Sequence, residues 1–355
     1  MADEMLSYLW DTAIHRFLAE GINYRDLLDL RERITTIGEW PARWSEMAVH
    51  YEQRGDAALA SGFTATAGAH LTRAALHYFF AQYLLWDDPA AKRAMIAKAA
   101  STLRRAAPYL DPPLRPLEIP FGAVRMPGYL RLPAGIDKPP CVLLLNGLDT
   151  TKEEQLVIST LCIQRGLATL MFDGPGQGEA FSQMKMWPGY VEAVQAALDF
   201  AASLPEIDPD RIAVIGRSLG SHYAARVAAI DHRVKAAVSW GAMFHLRNFL
   251  SIPPLTRAGF LFVTGSKTVE EAEPYVRSID LSELAPKITC PLMIVNGGRD
   301  PITPPENVEM MRAAVKAPTE VLFIPDSNHC IHDRPHICRP AIADFVRKHI
   351  AKRAA

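Results

Sequence analysis

The pentapeptide Gly216-Arg217-Ser218-Leu219-Gly220 places a hydroxyl between two glycines, where an apolar run (Ile212 to Ile215) meets an Ala-rich stretch. A strand that turns sharply into a helix at that point holds the serine clear of its own backbone, and a side chain at either glycine would crowd the turn. The chemistry such a turn serves is nucleophilic attack. A serine hydroxyl is a poor nucleophile at neutral pH; it needs a general base in reach, usually histidine, and a carboxylate to orient that base. Downstream, VNGGRDPITPP puts Asp300 in a Gly- and Pro-rich turn beyond one apolar run, and IPDSNHCIHDRP puts His329 in a loop after another. Each has a plainer reading alone: a Gly-rich strand-helix turn, an aspartate capping a turn before Pro301, a histidine with His332 and His336 as rivals. Asp326 likewise rivals Asp300. The order nucleophile, acid, base, each just past the end of a strand, joins Ser218, Asp300 and His329 in one expected site, because open α/β sheets gather their active sites along that edge.

The charge that develops on an attacked carbonyl oxygen needs preorganised donors. The N–H of Leu219, directly after the serine, is one expected donor, and the N–H of Leu148, in the Asn146-Gly147-Leu148-Asp149 loop, is the second. The run Asp173-Gly174-Pro175-Gly176-Gln177-Gly178 is Gly-rich, but the G-K-[ST] ending of a phosphate-binding loop is missing, so it reads as a tight turn beside the same edge. No H-E-x-x-H occurs, and His329-x-x-His332 reads as a catalytic histidine with a neighbour; no metal and no cofactor are expected. Cys330 reads as a packing residue. Trp187 and Tyr223, with Trp240 and Phe244, are aromatic candidates for a substrate pocket, although such rings more often belong to the core. Glu153 and Glu154 read as acids in the first turn of a helix.

These residues need a scaffold. Short apolar runs (VRMPGYLRLP, CVLLLNG, ATLMFD, RIAVIG, VKAAVSWG, PLMIVNG, TEVLFIP) alternate with helical stretches, which predicts an α/β fold with a mostly parallel, doubly wound sheet. Residues 242–286 exceed one crossover helix and read as an insertion, a lid candidate. Residues 1–115 look all-helical up to the proline-rich joint Asp111-Pro112-Pro113-Leu114-Arg115-Pro116, with helical periodicity from Tyr51 to Trp86 and a helix start at Asp88-Pro89. Residues 116–355 form the catalytic domain. A net charge of −1 supplies no field for nucleic acid or an acidic membrane, and no apolar run approaches the ~20 residues that span a bilayer. Neither partner is expected. MADEMLSYLW lacks the order of a signal peptide, and five scattered cysteines without a C-x-x-C pair suit free thiols in the cytoplasm.

Taken together, GRSLG, DGPGQGE, GGRDPITPP and the NH of SNHC resemble the α/β-hydrolase superfamily over about residues 116–355. The helical N-terminal region and the NGLDTTKEE segment are similar to the FrsA-like esterase group and its members that cleave a carbon–carbon bond. That resemblance implies a helical cap over the catalytic edge, a homodimer, and attack by Ser218 on a ketone next to an electron-rich ring. It also implies a glutamate after the VKAAVSWG strand, but residues 241–252 read GAMFHLRNFLSI, with His245, Arg247 and Asn248 in its place as candidate substrate contacts. The expectation is a serine hydrolase acting on a small molecule by C–C hydrolysis. A carboxylesterase with the same triad is the alternative, and a non-catalytic binding module on the same fold is a third reading.

Overall fold

The computed structural model describes residues 6–7 and 9–351. The chain forms two compact units, Met1–Pro116 and Leu117–Ala355.

The first unit is helical, with its longest helices at Trp40–Ala60, Thr64–Ala81 and Pro89–Ala106. Aromatic rings fill its interior: Phe17 meets Phe80 edge-on at 4.6 Å between ring centroids, and Trp40 lies 5.4 Å from Trp44. The Trp40 indole N–H donates to the Phe80 carbonyl at 2.9 Å, so a buried polar group is satisfied. Asp88 caps the third of these helices by accepting from the Ala91 N–H at 2.9 Å, with Pro89 in the first position, as the sequence predicts. The helical periodicity from Tyr51 onward is interrupted at 61–63, where Gly62 takes a left-handed φ of +78°.

The second unit is built on an eight-stranded sheet, whose first strand begins two residues before that unit's bound: β1 (Arg115–Phe121), β2 (Val124–Arg131), β3 (Cys141–Leu145), β4 (Ala168–Phe172), β5 (Ile212–Arg217), β6 (Val234–Trp240), β7 (Leu292–Gly297) and β8 (Thr319–Ile324). Their order across the sheet is β1-β2-β4-β3-β5-β6-β7-β8. From β3 to β8 every pairing is parallel, and β2 runs antiparallel to β4. β3, β4, β5 and β7 are buried along their whole length, which is why they read as unbroken apolar runs. β1 has no such run; Pro116 and Pro120 hide it, because proline supplies no ladder donor and is tolerated only at a sheet margin.

The topology brings the site together. After β3 the chain lays β4 on one side, then crosses to lay β5 on the other. Leu145 and Gly216 are register partners, so the loop after β3 and the turn after β5 emerge side by side. Between β6 and β7, residues 242–286 contain the helices Pro254–Thr264 and Val269–Ser278, which bury Phe260, Val263 and Tyr275 in the core. No helix among the described residues is long and apolar enough to cross a membrane.

Candidate active site

Ser218 directly follows β5 with φ 54° and ψ −120°, a conformation costly for any residue with a Cβ, and the helix Leu219–Ile230 starts immediately after it. The two flanking glycines are required by contact distance. A Cβ on Gly216 would lie 1.9 Å from the Gly220 carbonyl oxygen, and one on Gly220 would lie 2.6 Å from the carbonyl oxygens of Leu145 and Asn146. The turn is pinned from β6: the Ser218 N–H donates to the Trp240 carbonyl at 2.7 Å, and the Ser221 hydroxyl donates to the Gly241 carbonyl at 2.7 Å. The Ser218 side chain is left half-buried and reachable.

Asp300 lies in the turn after β7 and His329 in the short helical turn after β8. His329 Nε2 is 2.9 Å from Ser218 Oγ, and His329 Nδ1 is 2.6 Å from Asp300 Oδ2. The structure therefore brings the three residues into one hydrogen-bonded line. Asp300 Oδ1 accepts from the N–H groups of Ile302 and Thr303, both at 2.9 Å, while Oδ2 also accepts from the Thr303 hydroxyl at 2.6 Å. Burial pushes the Asp300 carboxyl up, but the His329 charge and these hydrogen bonds outweigh it and hold the group below the usual carboxylate range. Burial pulls His329 down, yet the Asp300 charge prevails and raises the imidazole well above 6.5. A base must be unprotonated to accept a proton, so kcat/KM should rise with pH through an inflection above 6.5; a pH–rate profile checks this, and an inflection below 6.5 contradicts it. Asp326 pairs with Arg334 at 2.6 Å, the His332 ring lies 6.2 Å from that of Trp240, and His336 is exposed on the helix Pro335–Ile350. Cys330 is buried with Sγ 3.5 Å from His329 Nε2, and it and Ile331 take left-handed φ of 57° and 53°.

Leu219 opens a helix, where N–H groups lack intrahelical acceptors. The loop carrying Leu148 presses against the serine: a Cβ on Gly147 would lie 3.2 Å from Ser218 Cβ. Gln177 braces that loop, its amide donating to the Gly147 carbonyl at 2.6 Å and to the Asn146 carbonyl at 3.2 Å, while the Tyr190 hydroxyl donates to Gln177 Oε1 at 2.6 Å. The DGPGQG run is thus a turn that supports its neighbour.

Behind the turn lies a group of buried charges that the sequence reading missed. Glu153 and Glu154 do stand in a first helical turn, Lys152–Gln155, but each is only 1% exposed. Lys152 Nζ lies 2.8 Å from Glu153 Oε1, 2.7 Å from Asp173 Oδ2 and 2.7 Å from Glu179 Oε2. Burial opposes its charge, but the Asp173 and Glu153 carboxylates raise the Lys152 pKa well above its ordinary value and keep it an ammonium. Glu154 meets Arg217, the residue before Ser218, at 2.8 Å. The only signal for these pairs was the charge-rich DTTKEE segment beside DGPGQGE, and nothing local distinguishes it from a solvated helix start.

The candidate substrate contacts scatter. Tyr223 is a core residue: its ring lies 4.3 Å from that of Tyr190 and its hydroxyl 2.8 Å from that of Tyr275. Trp187 is half-buried and stacks on Phe121 at 5.8 Å. Arg247 is exposed and pairs with Asp280 at 3.0 Å, on a groove that does not include Ser218. His245 forms a backbone bridge with Asp280, and Asn248 donates weakly to the Ile302 carbonyl at 3.4 Å, bracing the loop of Asp300. None of these five hydrogen-bonds to Ser218, Asp300 or His329: His245, Arg247 and Asn248 are engaged with Asp280 and Ile302, Tyr223 with the core, and Trp187 with Phe121.

A family model described as Esterase FrsA-like matches residues 26–254, and one for the prolyl oligopeptidase family matches residues 156–353. The chain is 34% identical to a 2,6-dihydropseudooxynicotine hydrolase of Paenarthrobacter nicotinovorans over 346 residues, 97% of this chain and 92% of that one. It is 34% identical to the hydrolyase poxO of Penicillium oxalicum over 226 residues, where it spans 53% of the fungal protein. The crystal structure of a 2,6-dihydroxy-pseudo-oxynicotine hydrolase superposes with a TM-score of 0.88 at 32% identity, covering 95% of each chain.

Proposed function

The chain belongs to the FrsA-like esterase family of α/β-hydrolases, and from that membership we propose that it is a serine hydrolase that cleaves a carbon–carbon bond next to a ketone in an aromatic substrate. The observation that carries the reading is the line from Ser218 Oγ to His329 Nε2 at 2.9 Å and from His329 Nδ1 to Asp300 Oδ2 at 2.6 Å. Ser218 Oγ attacks the ketone carbon as His329 takes its proton. The oxyanion forms against the N–H groups of Leu219 and Leu148, where charge stabilisation is usually the largest catalytic contribution. The tetrahedral intermediate collapses, the ring carbon leaves with the bonding electron pair, and the His329 imidazolium returns the proton to it. Water, deprotonated by His329, then attacks the acyl-Ser218 ester and releases a carboxylic acid. The ketone is supported by the relative named for an oxynicotine substrate, which aligns over 97% of this chain.

A carboxylesterase is the second reading, and a specific observation favours it. Residues 241–252 hold no carboxylate, and among the described residues Asp300 is the one acid hydrogen-bonded to His329. An ester needs no further acid for its leaving group. Matched aryl ketones and aryl esters, followed by mass spectrometry, separate the two: ketones should yield an acid plus the free ring compound, and turnover of esters alone would overturn the C–C assignment. Labelling of Ser218 by a fluorophosphonate probe excludes a non-catalytic module. The five cysteines, all buried and unpaired, support a reducing, cytoplasmic setting.

A further inference from the structure

The mechanism above leaves the buried ions beside the nucleophile without a task, although burying charge is costly unless every group is paired. Glu153, Asp173 and Glu179 bring their carboxylate oxygens within 4.8 Å of one another, a spacing at which proteins hold a cation, and the Lys152 ammonium sits among them. Asp173 is the hub. It accepts from the Lys152 N–H at 2.8 Å, from Lys152 Nζ at 2.7 Å, from the Glu179 N–H at 3.1 Å and from Asn146 Nδ2 at 3.1 Å. Its partners thus come from both the loop after β3 and the loop after β4.

Asn146 and Gly147 then fix the direction of one peptide. Both their carbonyl oxygens accept from Gln177 Nε2, at 3.2 and 2.6 Å. In a trans peptide the C=O and the next N–H point opposite ways. With the Gly147 carbonyl drawn to Gln177, the Leu148 N–H is turned to the other side, and its rotation would break a buried hydrogen bond. We propose that Lys152 is a positioning residue for the oxyanion hole: a cation supplied by the chain itself that clamps the two loops through Asp173, so that Gln177 can aim the Leu148 N–H. This rests on the reading of Leu148 as a donor to the oxyanion.

Two variants test it on the full-length protein. Gln177→Met removes the amide donor without stranding a charge, and should lower kcat by about 10²-fold, the usual effect of disabling one oxyanion donor, with KM nearly unchanged. The pH inflection of His329 should stay where it is, because the triad is untouched. Lys152→Ala should lower kcat similarly, and millimolar Mg²⁺ should restore part of it by filling the vacated centre, while the unaltered protein ignores Mg²⁺. Wild-type kcat in folded Gln177→Met protein, or a loss that travels with a shifted inflection, overturns the proposal. A folded Lys152→Ala protein whose activity Mg²⁺ does not change overturns the role given to the lysine's charge; if that variant fails to fold, Gln177→Met decides alone. Failure of the triad reading on which this rests would look different, as activity surviving Ser218→Ala.

Discussion

Replacing Ser218 by alanine is expected to lower kcat by on the order of 10⁶-fold while the protein still folds. The reasoning is local. The hydroxyl makes one side-chain hydrogen bond, to His329 Nε2 at 2.9 Å, and the backbone of the turn is held independently by the Trp240 carbonyl. Alanine keeps the Cβ and so keeps the turn; the expected loss of stability is about 1 kcal/mol, the net worth of one hydrogen bond. Turnover on the substrate found by product analysis, together with a thermal melt, measures both. Retained activity in a preparation free of contaminating hydrolase would sink the triad. Ser218→Gly sharpens the point. A residue with a Cβ at φ 54° and ψ −120° stores strain of order 1–3 kcal/mol, so glycine should give an inactive protein that melts higher than the original.

Asp300→Asn should cost about 10⁴-fold in kcat/KM, through the wrong tautomer of the base. Asp300 Oδ1 is already claimed by the N–H groups of Ile302 and Thr303. An asparagine would put its carbonyl oxygen there and its NH₂ toward His329 Nδ1. The imidazole would then carry its proton on Nε2, facing the serine hydroxyl as a donor, unable to accept. The pH profile supplies a second readout with a definite sign. In the parent protein the Asp300 charge overcomes burial and raises the His329 pKa; without that charge, burial acts unopposed and lowers it. The rising limb of the residual activity should therefore move to lower pH. A limb that stays in place would show that another group supplies the inflection.

The parts of the site that the sequence made legible are those whose signal is local. Ser218 was readable because an apolar strand, two glycines and a helix lie within a few residues of it, and the contact distances at Gly216 and Gly220 show why no other residue fits. Asp300 and His329 were readable by chain order, since each follows a buried or edge strand by a short turn. What failed to show was long-range. Lys152 and Asp173 are 21 residues apart and Arg217 and Glu154 still further, so each charge alone resembles a solvated one. β1 was invisible because its prolines break the apolar pattern, and Tyr223 stayed open between pocket wall and core, the commoner place for such a ring, until its contact with Tyr190 placed it in the core. The direction of the insertion's side chains depends on Asp280, 35 residues after His245, and no periodicity conveys it.

The position of β8 has a consequence for synthesis on the ribosome. β8 is last in the chain among the strands and sits at the margin of the sheet, paired with β7 alone, and the base follows it. His329 therefore leaves the ribosome after Ser218 and Asp300 and reaches them only once β8 has paired with β7. On the proposed triad, a chain short of that pairing would hold a serine without its base, and labelling of Ser218 would report completion of the sheet.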